Sequence, residues 1–360
     1  MPSHTAIAAL SKGQFGSIQV ETSPPGAGAV LIKVHYASMI AFDTYIADVG
    51  FLVAEYPVTL GFNAAGVVVA VGTGVSLAIG DRVAAFTMYG QGRKDALQGT
   101  MQDYVALPEH LCAKVRPHPN VFRVLLTCTD PREHRARRRG DGPRQLPHRV
   151  LHAVRPARPA HPPILVYGAG STAGQYALQL LRAAGYTNVV ATAAPKHHAY
   201  LRALGATRVV DYASPTLAAD IGGPVELALD AISTTSTLAT VARLLAPAGA
   251  VAVLLPIKEG NTVAVGAAAM HAAFLEGTSP FAPETRIAYV RTFLYRDNAY
   301  MKENLMPKIL PELLAKGIIT PNRIRLLDEG SFEQRVAAGL DLLRNNKVSG
   351  EKVVVKVLKD

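Results

Sequence analysis

Cysteine is nearly absent from this 360-residue chain, which carries only Cys112 and Cys128. Two thiols are too few for a disulfide framework or a four-cysteine zinc lobe, and they fit a reducing compartment. Long apolar runs are missing too. Hydrophobic residues make up 49% of the chain, yet no stretch approaches the ~18 uninterrupted apolar residues of a membrane span. The opening Met-Pro-Ser-His-Thr-Ala has neither the basic region nor the apolar core of a secretory signal. No internal repeat is evident. These absences lead us to expect a soluble, cytoplasmic protein with no membrane partner, long enough to bury a large core in two domains.

A net charge of +10 raises the question of nucleic acid or acidic membranes. The surplus is local, however. Residues 121–163 hold ten arginines against three acidic residues, and the text from Pro131 to Arg149 has neither helical nor strand periodicity. No aromatic platform or recognition motif accompanies the arginines, so we expect no nucleic-acid partner. Text rich in Arg, Pro, Ala, His and Gly is what a GC-rich gene yields when read out of frame. A one-base shift over 141–163 permits a Pro-Asp-Asn turn followed by apolar helical periodicity and aromatic residues. Two readings stand open: a frame error or retained intron over 121–163, or a genuine basic linker. Under either, 132–159 is expected to be irregular.

Flanking text is ordinary. The first hundred or so residues read as short strands bounded by glycine, among them Ala29-Val-Leu-Ile-Lys-Val-His-Tyr-Ala, Gly66-Val-Val-Val-Ala-Val-Gly and Asp81-Arg-Val-Ala-Ala-Phe. From Ile164 the pattern changes to strands alternating with helices, the mark of a doubly wound α/β domain. The spacing predicts strands at Ile164–Tyr167, Val189–Ala191, Arg208–Asp211, Glu226–Ala231 and Ala250–Leu255. Helices follow Gly170 to Ala184, then His198–Leu204 and Thr237–Leu245. Beyond Pro280 come helices over Tyr300–Leu314 and Phe332–Arg344 and a closing strand from Lys352, which we place with the first domain.

The motif with the most chemistry is Gly168-Ala-Gly170-Ser171-Thr172-Ala173-Gly174, lodged between an apolar strand and an Ala/Leu/Gln helix. Gly168 and Gly170 permit a tight turn and close backbone approach to a pyrophosphate, while Ala173 and Gly174 keep the first helical turn slim against the strand. This reads as a dinucleotide site. An NAD site places Asp or Glu at the end of the second strand, where it binds both ribose hydroxyls and repels a 2′-phosphate. Here the text is Ala193-Ala194-Pro195-Lys196-His197-His198, small residues and then a cation. That favours NADPH.

The order of parts, together with Leu60-Gly-Phe-Asn-Ala-Ala-Gly-Val-Val, Val71-Gly-Thr-Gly-Val, Ile79-Gly-Asp-Arg-Val, the glycine turn, Ala194-Pro-Lys, Leu204-Gly-Ala, Asp211-Tyr and Lys347-Val-Ser-Gly-Glu-Lys, resembles the medium-chain dehydrogenases/reductases. Within them it resembles the zinc-independent fungal enoyl reductases that act in trans with polyketide synthases. The resemblance covers the chain outside about 121–163. It implies a GroES-like β-rich catalytic domain over 1–120, a Rossmann NADPH-binding domain over 164–280, and a return to the first domain over 281–360.

Zinc-dependent members carry Gly-His-Glu where this chain has Gly61-Phe62-Asn63, and a cysteine in the loop that here reads Ser38-Met39-Ile40-Ala41. Phe and Met cannot supply the nitrogen and thiolate that a catalytic zinc requires, so no metal is expected. By the resemblance, Gly170, Ser171, Thr172 and Ala173 would hold pyrophosphate. Ala194, Pro195, Lys196, His197 and Tyr212 would surround the 2′-phosphate and adenosine side, and Leu254 and Leu255 would flank the nicotinamide ribose. Ile40, Ala41, Phe42 and Asp43, with Val348 and Ser349, would close over the nicotinamide. Plainer roles compete with these: Asp43 as a helix cap, Tyr212 as a surface aromatic, Leu254 and Leu255 as core, Val348 and Ser349 as a turn.

No residue declares itself the catalytic acid, although Asp43, Tyr45 and Tyr89 are candidates by position. The implied activity is NADPH-dependent reduction of an activated C=C bond. The implied substrate is a small-molecule or acyl-carrier-bound enoyl group, and a polyketide synthase is the implied partner of a monomer or dimer. A quinone reductase of the same superfamily is the rival in chemistry. A non-catalytic nucleotide-binding protein is the rival if 121–163 is genuine, because the lost apolar contacts of that segment would be worth roughly 6–12 kcal/mol.

Overall fold

The computed structural model describes residues 2–87, 97–115, 162–260 and 269–358. Tyr89, Cys128 and the Arg/Pro-rich segment, with its expected irregular stretch 132–159, lie outside them. The described residues form two compact units, one of 2–87, 97–115 and 293–358, the other of 162–260 and 269–292. Among them no helix is long and apolar enough to cross a membrane.

In the first unit the longest strand, Ala29–Met39, shows why the chain pleats here. Val30, Ile32 and Val34 are buried at alternate positions, while Lys33 and His35, which break the apolar run, fall on the other face, as a period of two requires. This strand pairs antiparallel with Asn63–Val71, with Tyr104–Pro108 and with the last strand, Glu351–Lys356. The sheet runs Arg323–Leu327, Glu351–Lys356, Ala29–Met39, Asn63–Val71, Arg82–Phe86, Cys112–Lys114. A smaller sheet joins Ser3–Ser11 to Gln14–Glu21 and Val58–Thr59. Ile7, Ile32, Leu60, Val68, Val336 and Leu340 are all fully buried in one core, each contributing roughly 1.5–3 kcal/mol by leaving water. Val336 and Leu340 come from the helix Phe332–Arg344, whose start is capped by Ser331 Oγ accepting from Gln334 N. Chain ends thus close one core.

The second unit is a six-stranded, wholly parallel sheet in the order Arg208–Val210, Val189–Thr192, Ile164–Tyr167, Val225–Asp230, Leu245–Leu254, Arg286–Val290. Ile164–Tyr167 is buried at every residue, as a central parallel strand covered on both faces must be. Helices Thr172–Ala183, His198–Leu204, Leu217–Ile221 and Thr235–Leu244 follow strands in turn. One boundary differs from the reading of the sequence. Residues 281–292 belong to this unit, because Arg286–Val290 supplies its sixth strand. That strand is half exposed at the sheet's edge, so it lacks the apolar run by which the inner strands announce themselves. The return to the first unit therefore begins at Phe293 rather than at 281.

Candidate active site

Strand order reverses on either side of Ile164–Tyr167, and in such sheets ligands bind beyond the carboxyl ends of the strands at that point. The glycine turn begins there. Gly168 has φ +73°, and its N–H donates to Thr192 Oγ1 (3.0 Å). A Cβ on Gly168 would run into the Ile232 side chain, and one on Gly174 would stand 2.6 Å from Ala169 Cα. Gly170 is different. A Cβ there would meet only His197 Cδ2 at 3.8 Å and the Ala193 Cβ at 4.0 Å. Gly168 and Gly174 are thus required by the fold, whereas Gly170 leaves open room beside the turn.

Several bonds brace this turn. Gln175 Nε2 donates to Gly170 O (2.9 Å), and Tyr200 OH donates to Gln175 Oε1 (3.0 Å). Ser171 caps the helix, its Oγ accepting from Gly174 N at 3.1 Å, and Thr172 and Ala173 open its first turn. The positive end of a 12-residue helix therefore faces the room beside Gly170, the arrangement that suits a pyrophosphate. That open space and those donors fit a dinucleotide.

The second strand, ending at Thr192, is followed by Ala193, buried, and Ala194, part-buried, and then by the exposed Pro195 and Lys196. His197 is buried against the turn, and His198 Nε2 bonds to Ala193 O (3.0 Å). Tyr212 is 53% exposed, so it is a surface aromatic with a free face. The structure brings Gly170, Ala193 and His197 together, with Lys196 as the exposed cation. Asp211, the carboxylate of the neighbouring strand end, is turned to its own loop, accepting from Ala213 N (3.0 Å). Leu254 and Leu255 are part-buried at the end of the fifth strand.

Sequence reasoning passed over a buried polar cluster beside them. Asp230 accepts from Ile232 N (2.8 Å), Ser233 N (2.9 Å) and Thr237 Oγ1 (2.7 Å). Lys258 Nζ donates to Ile232 O (2.6 Å), and Thr235 Oγ1 donates to Lys258 O (3.1 Å). The loops after the fourth and fifth strands are thereby tied into one piece. Burial raises the Asp230 carboxyl and pushes the Lys258 amine down to about 8, against the opposing pull of Asp230. The available signal was Asp230 followed by the hydroxyl run Ser233-Thr234-Thr235-Ser236-Thr237.

In the first unit Ile40, Ala41 and Phe42 are part-buried. Phe42 packs edge-on against Phe62 (5.3 Å) and Phe51 (5.5 Å). Phe62 and Met39, which the resemblance sets against the zinc-binding residues, are buried in the core. Among the described residues no group of three or more His, Cys, Asp or Glu side chains is gathered to hold a metal. Asp43 takes the plainer of its two expected roles. It is fully buried, its Oδ2 accepting from Ile40 N (2.8 Å) and its Oδ1 from Gly61 N (2.7 Å). It caps from the third helical position and cannot itself cover a ligand.

Lys352, at the head of the closing strand, also went unassigned. Its Nζ donates to Asn63 Oδ1 (3.2 Å), which also accepts from Ser38 Oγ (3.3 Å). Burial pushes the Asp43 carboxyl up to about 7 and the Lys352 amine down to about 8; each opposes the other's shift without cancelling it. Val348 packs at the margin of the core, and Ser349 is part-buried beside it.

Residues 26–117 match the alcohol dehydrogenase GroES-like domain, and residues 173–268 match the domain called zinc-binding dehydrogenase. A trans-enoyl reductase of Fusarium heterosporum is 30% identical over 362 residues, covering 97% of this chain and 98% of its own. A trans-enoyl reductase of Gibberella fujikuroi is 29% identical over 366 residues, covering 98% of each chain. Among solved structures, the CurK enoyl reductase superposes with a TM-score of 0.70 at 15% identity, over 98% of this chain and 99% of its own.

Proposed function

The chain belongs to the medium-chain dehydrogenase/reductase family, in the company of the fungal trans-enoyl reductases, and from that premise we propose that it is an NADPH-dependent, zinc-independent enoyl reductase of secondary metabolism. The observation that carries the cofactor reading is the end of the second strand, where Ala193 and Ala194 offer no carboxylate and Lys196 stands exposed. A 2′-phosphate would find room and positive charge there. The substrate reading is supported by the names of the full-length relatives. It is also supported by Phe62 and Met39, which cannot supply the nitrogen and thiolate of a Lewis-acidic zinc. The partner would be a polyketide synthase presenting an acyl-carrier-bound enoyl group, and the compartment the cytoplasm.

Held by its pyrophosphate at the glycine turn, NADPH would supply the hydride that an electron-poor β-carbon accepts. The chain's own residues would do the rest. Thr172 and Ala173 would receive pyrophosphate at the helix start, and Gly170 would leave the backbone free to approach it. Ala194, Pro195, Lys196, His197 and Tyr212 would take the adenosine side, with Leu254 and Leu255 flanking the nicotinamide ribose. Ile40, Ala41, Phe42, Val348 and Ser349 would exclude water from the nicotinamide. We read residues 121–163 as a frame error or retained intron, which sequencing of the transcript decides.

The test is turnover of the purified chain, and of a version carrying the shifted-frame segment, with NADPH and NADH. An enoyl thioester, an enone and a quinone serve as acceptors, and products are identified by mass. Saturated thioester formed with NADPH supports the reading. Turnover of the quinone alone would make the protein a quinone reductase, and NADPH binding without turnover of any acceptor would make it a non-catalytic nucleotide-binding protein.

A further inference from the structure

The glycine turn rests on a loop gripped by two buried ionisable groups. Asp230 is the last residue of the fourth strand and pairs with Tyr167, the residue before Gly168. Two positions further on, Ile232 packs against the turn: a Cβ on Gly168 would stand 2.7 Å from Ile232 Cδ1. Resting on the reading of function above, we propose that Asp230 and Lys258 are positioning residues for the dinucleotide, which lock Ile232 against Gly168 and so fix where the glycine turn presents its backbone to pyrophosphate.

The Ile232–Ser233 dipeptide has two backbone N–H and two C=O groups, and these two residues take all of them. Asp230 Oδ1 accepts from Ile232 N (2.8 Å) and from Ser233 N (2.9 Å). Lys258 Nζ donates to Ile232 O (2.6 Å), and Lys258 N donates to Ser233 O (2.9 Å). Ser233 is thereby held at φ +59°, in the left-handed region that a residue with a Cβ avoids. Neither peptide plane can rotate without breaking a buried hydrogen bond, so the Ile232 side chain stays where the turn rests on it. The two residues are fastened in their turn, Asp230 Oδ2 by Thr237 Oγ1 (2.7 Å) and Lys258 O by Thr235 Oγ1 (3.1 Å).

Stability alone does not account for this arrangement. Replacing a buried charge pair by apolar groups of like volume is commonly neutral or favourable, and glycine would take the backbone of Ser233 without strain. Neither feature favours folding, and both lie at the carboxyl ends of adjacent strands, where a ligand of such a sheet binds. Strain of this kind persists where a site's geometry is set before its ligand arrives. Gly168 has no side chain with which to hold its own place. Ile232 holds it, and every residue of the device belongs to the same compact unit as the turn.

The experiment uses the full chain, in whichever of the two forms above binds NADPH, at pH 7, where the Lys258 amine, pushed down by burial to about 8, keeps its proton. Wild type is compared with D230N/K258M, I232A and the triple variant D230N/I232A/K258M. The double variant removes both charges together and keeps the lysine's apolar stem, and the Asn side-chain oxygen can still accept from Ile232 N and Ser233 N. What it loses is the grip on Ile232 O. Fluorescence titration should show Kd for NADPH raised about tenfold, with a urea midpoint near that of wild type. Hydrogen exchange of the ligand-free double variant should quicken over 230–234 and 168–171 and stay as in wild type over 189–192.

Because the pair acts through the Ile232 side chain, I232A should weaken NADPH likewise, and adding D230N/K258M to it should change Kd by less than about twofold. Three results would overturn the proposal: wild-type affinity in D230N/K258M, a penalty that survives in full in the I232A background, or a double variant that no longer folds, since the pair would then hold the fold itself. A wild-type chain that binds NADPH in neither form overturns the reading of function instead.

Discussion

Substituting alanine for Gly168 and, separately, for Gly170 divides the glycine turn into its structural and its binding halves. Gly168 sits at φ +73°, where a side chain costs ~1–2 kcal/mol. Its Cβ would also strike Cγ1 and Cδ1 of Ile232, and such overpacking adds ~1–3 kcal/mol. G168A should therefore lose about 2–5 kcal/mol of stability, a large part of the ~5–15 kcal/mol that holds a domain. Gly170 is in ordinary backbone, and its Cβ would find its nearest neighbour at 3.8 Å. G170A should stay within ~0.5 kcal/mol of wild type. The added methyl would, however, fill the room through which the backbone meets pyrophosphate, so Kd for NADPH should rise about tenfold or more, which is ~1.4 kcal/mol.

Urea unfolding measures the first half of this contrast and fluorescence titration with NADPH the second. Adding I232A to G168A should return the collision part and leave the backbone part. If G170A binds NADPH like wild type, the pyrophosphate does not come to this turn and the cofactor site has been misplaced. Equal destabilisation of the two variants would refute the distinction drawn from the geometry.

Three further outcomes are expected. A194D places a carboxylate at the end of the second strand and should reverse the preference from NADPH to NADH, while K196A should weaken NADPH with NADH unchanged; comparative titrations check both. D43A leaves the buried N–H groups of Ile40 and Gly61 without their acceptor and Lys352 without its counter-charge, and should cost ~3–5 kcal/mol in urea unfolding. Lys258 binds its proton less tightly in the folded protein, at about 8, than unfolded at about 10.4. Between those values the unfolded chain holds more protons, so this group should make stability rise with pH, at up to ~1.4 kcal/mol per unit. Unfolding of K258M across that window should lack the rise.

Much of the architecture was legible because it rests on local rules. Alternation of two marks Ala29–Met39, and the apolar run at Ile164–Tyr167 followed by Gly168 and Gly170 marks a buried strand entering a helix. Phe332–Arg344 and His198–Leu204 lie where the spacing puts them. Arg286–Val290 was illegible for the converse reason: an edge strand is half wet and carries no apolar run. Asp230 with Lys258, and Asp43 with Lys352, were missed because their partners lie 28 and 309 positions apart in the chain, so no local pattern joins them.

By itself, then, the sequence determined the two-part fold, the glycine turn and the missing carboxylate after the second strand, since each depends on neighbours within a few positions. Only tertiary structure decided which glycine leaves open room, that Asp43 turns inward to hold Ile40 and Gly61, and that Lys352 meets Asn63. Those outcomes follow from which strand ends pack side by side, and burial then sets the charge of the groups that meet there.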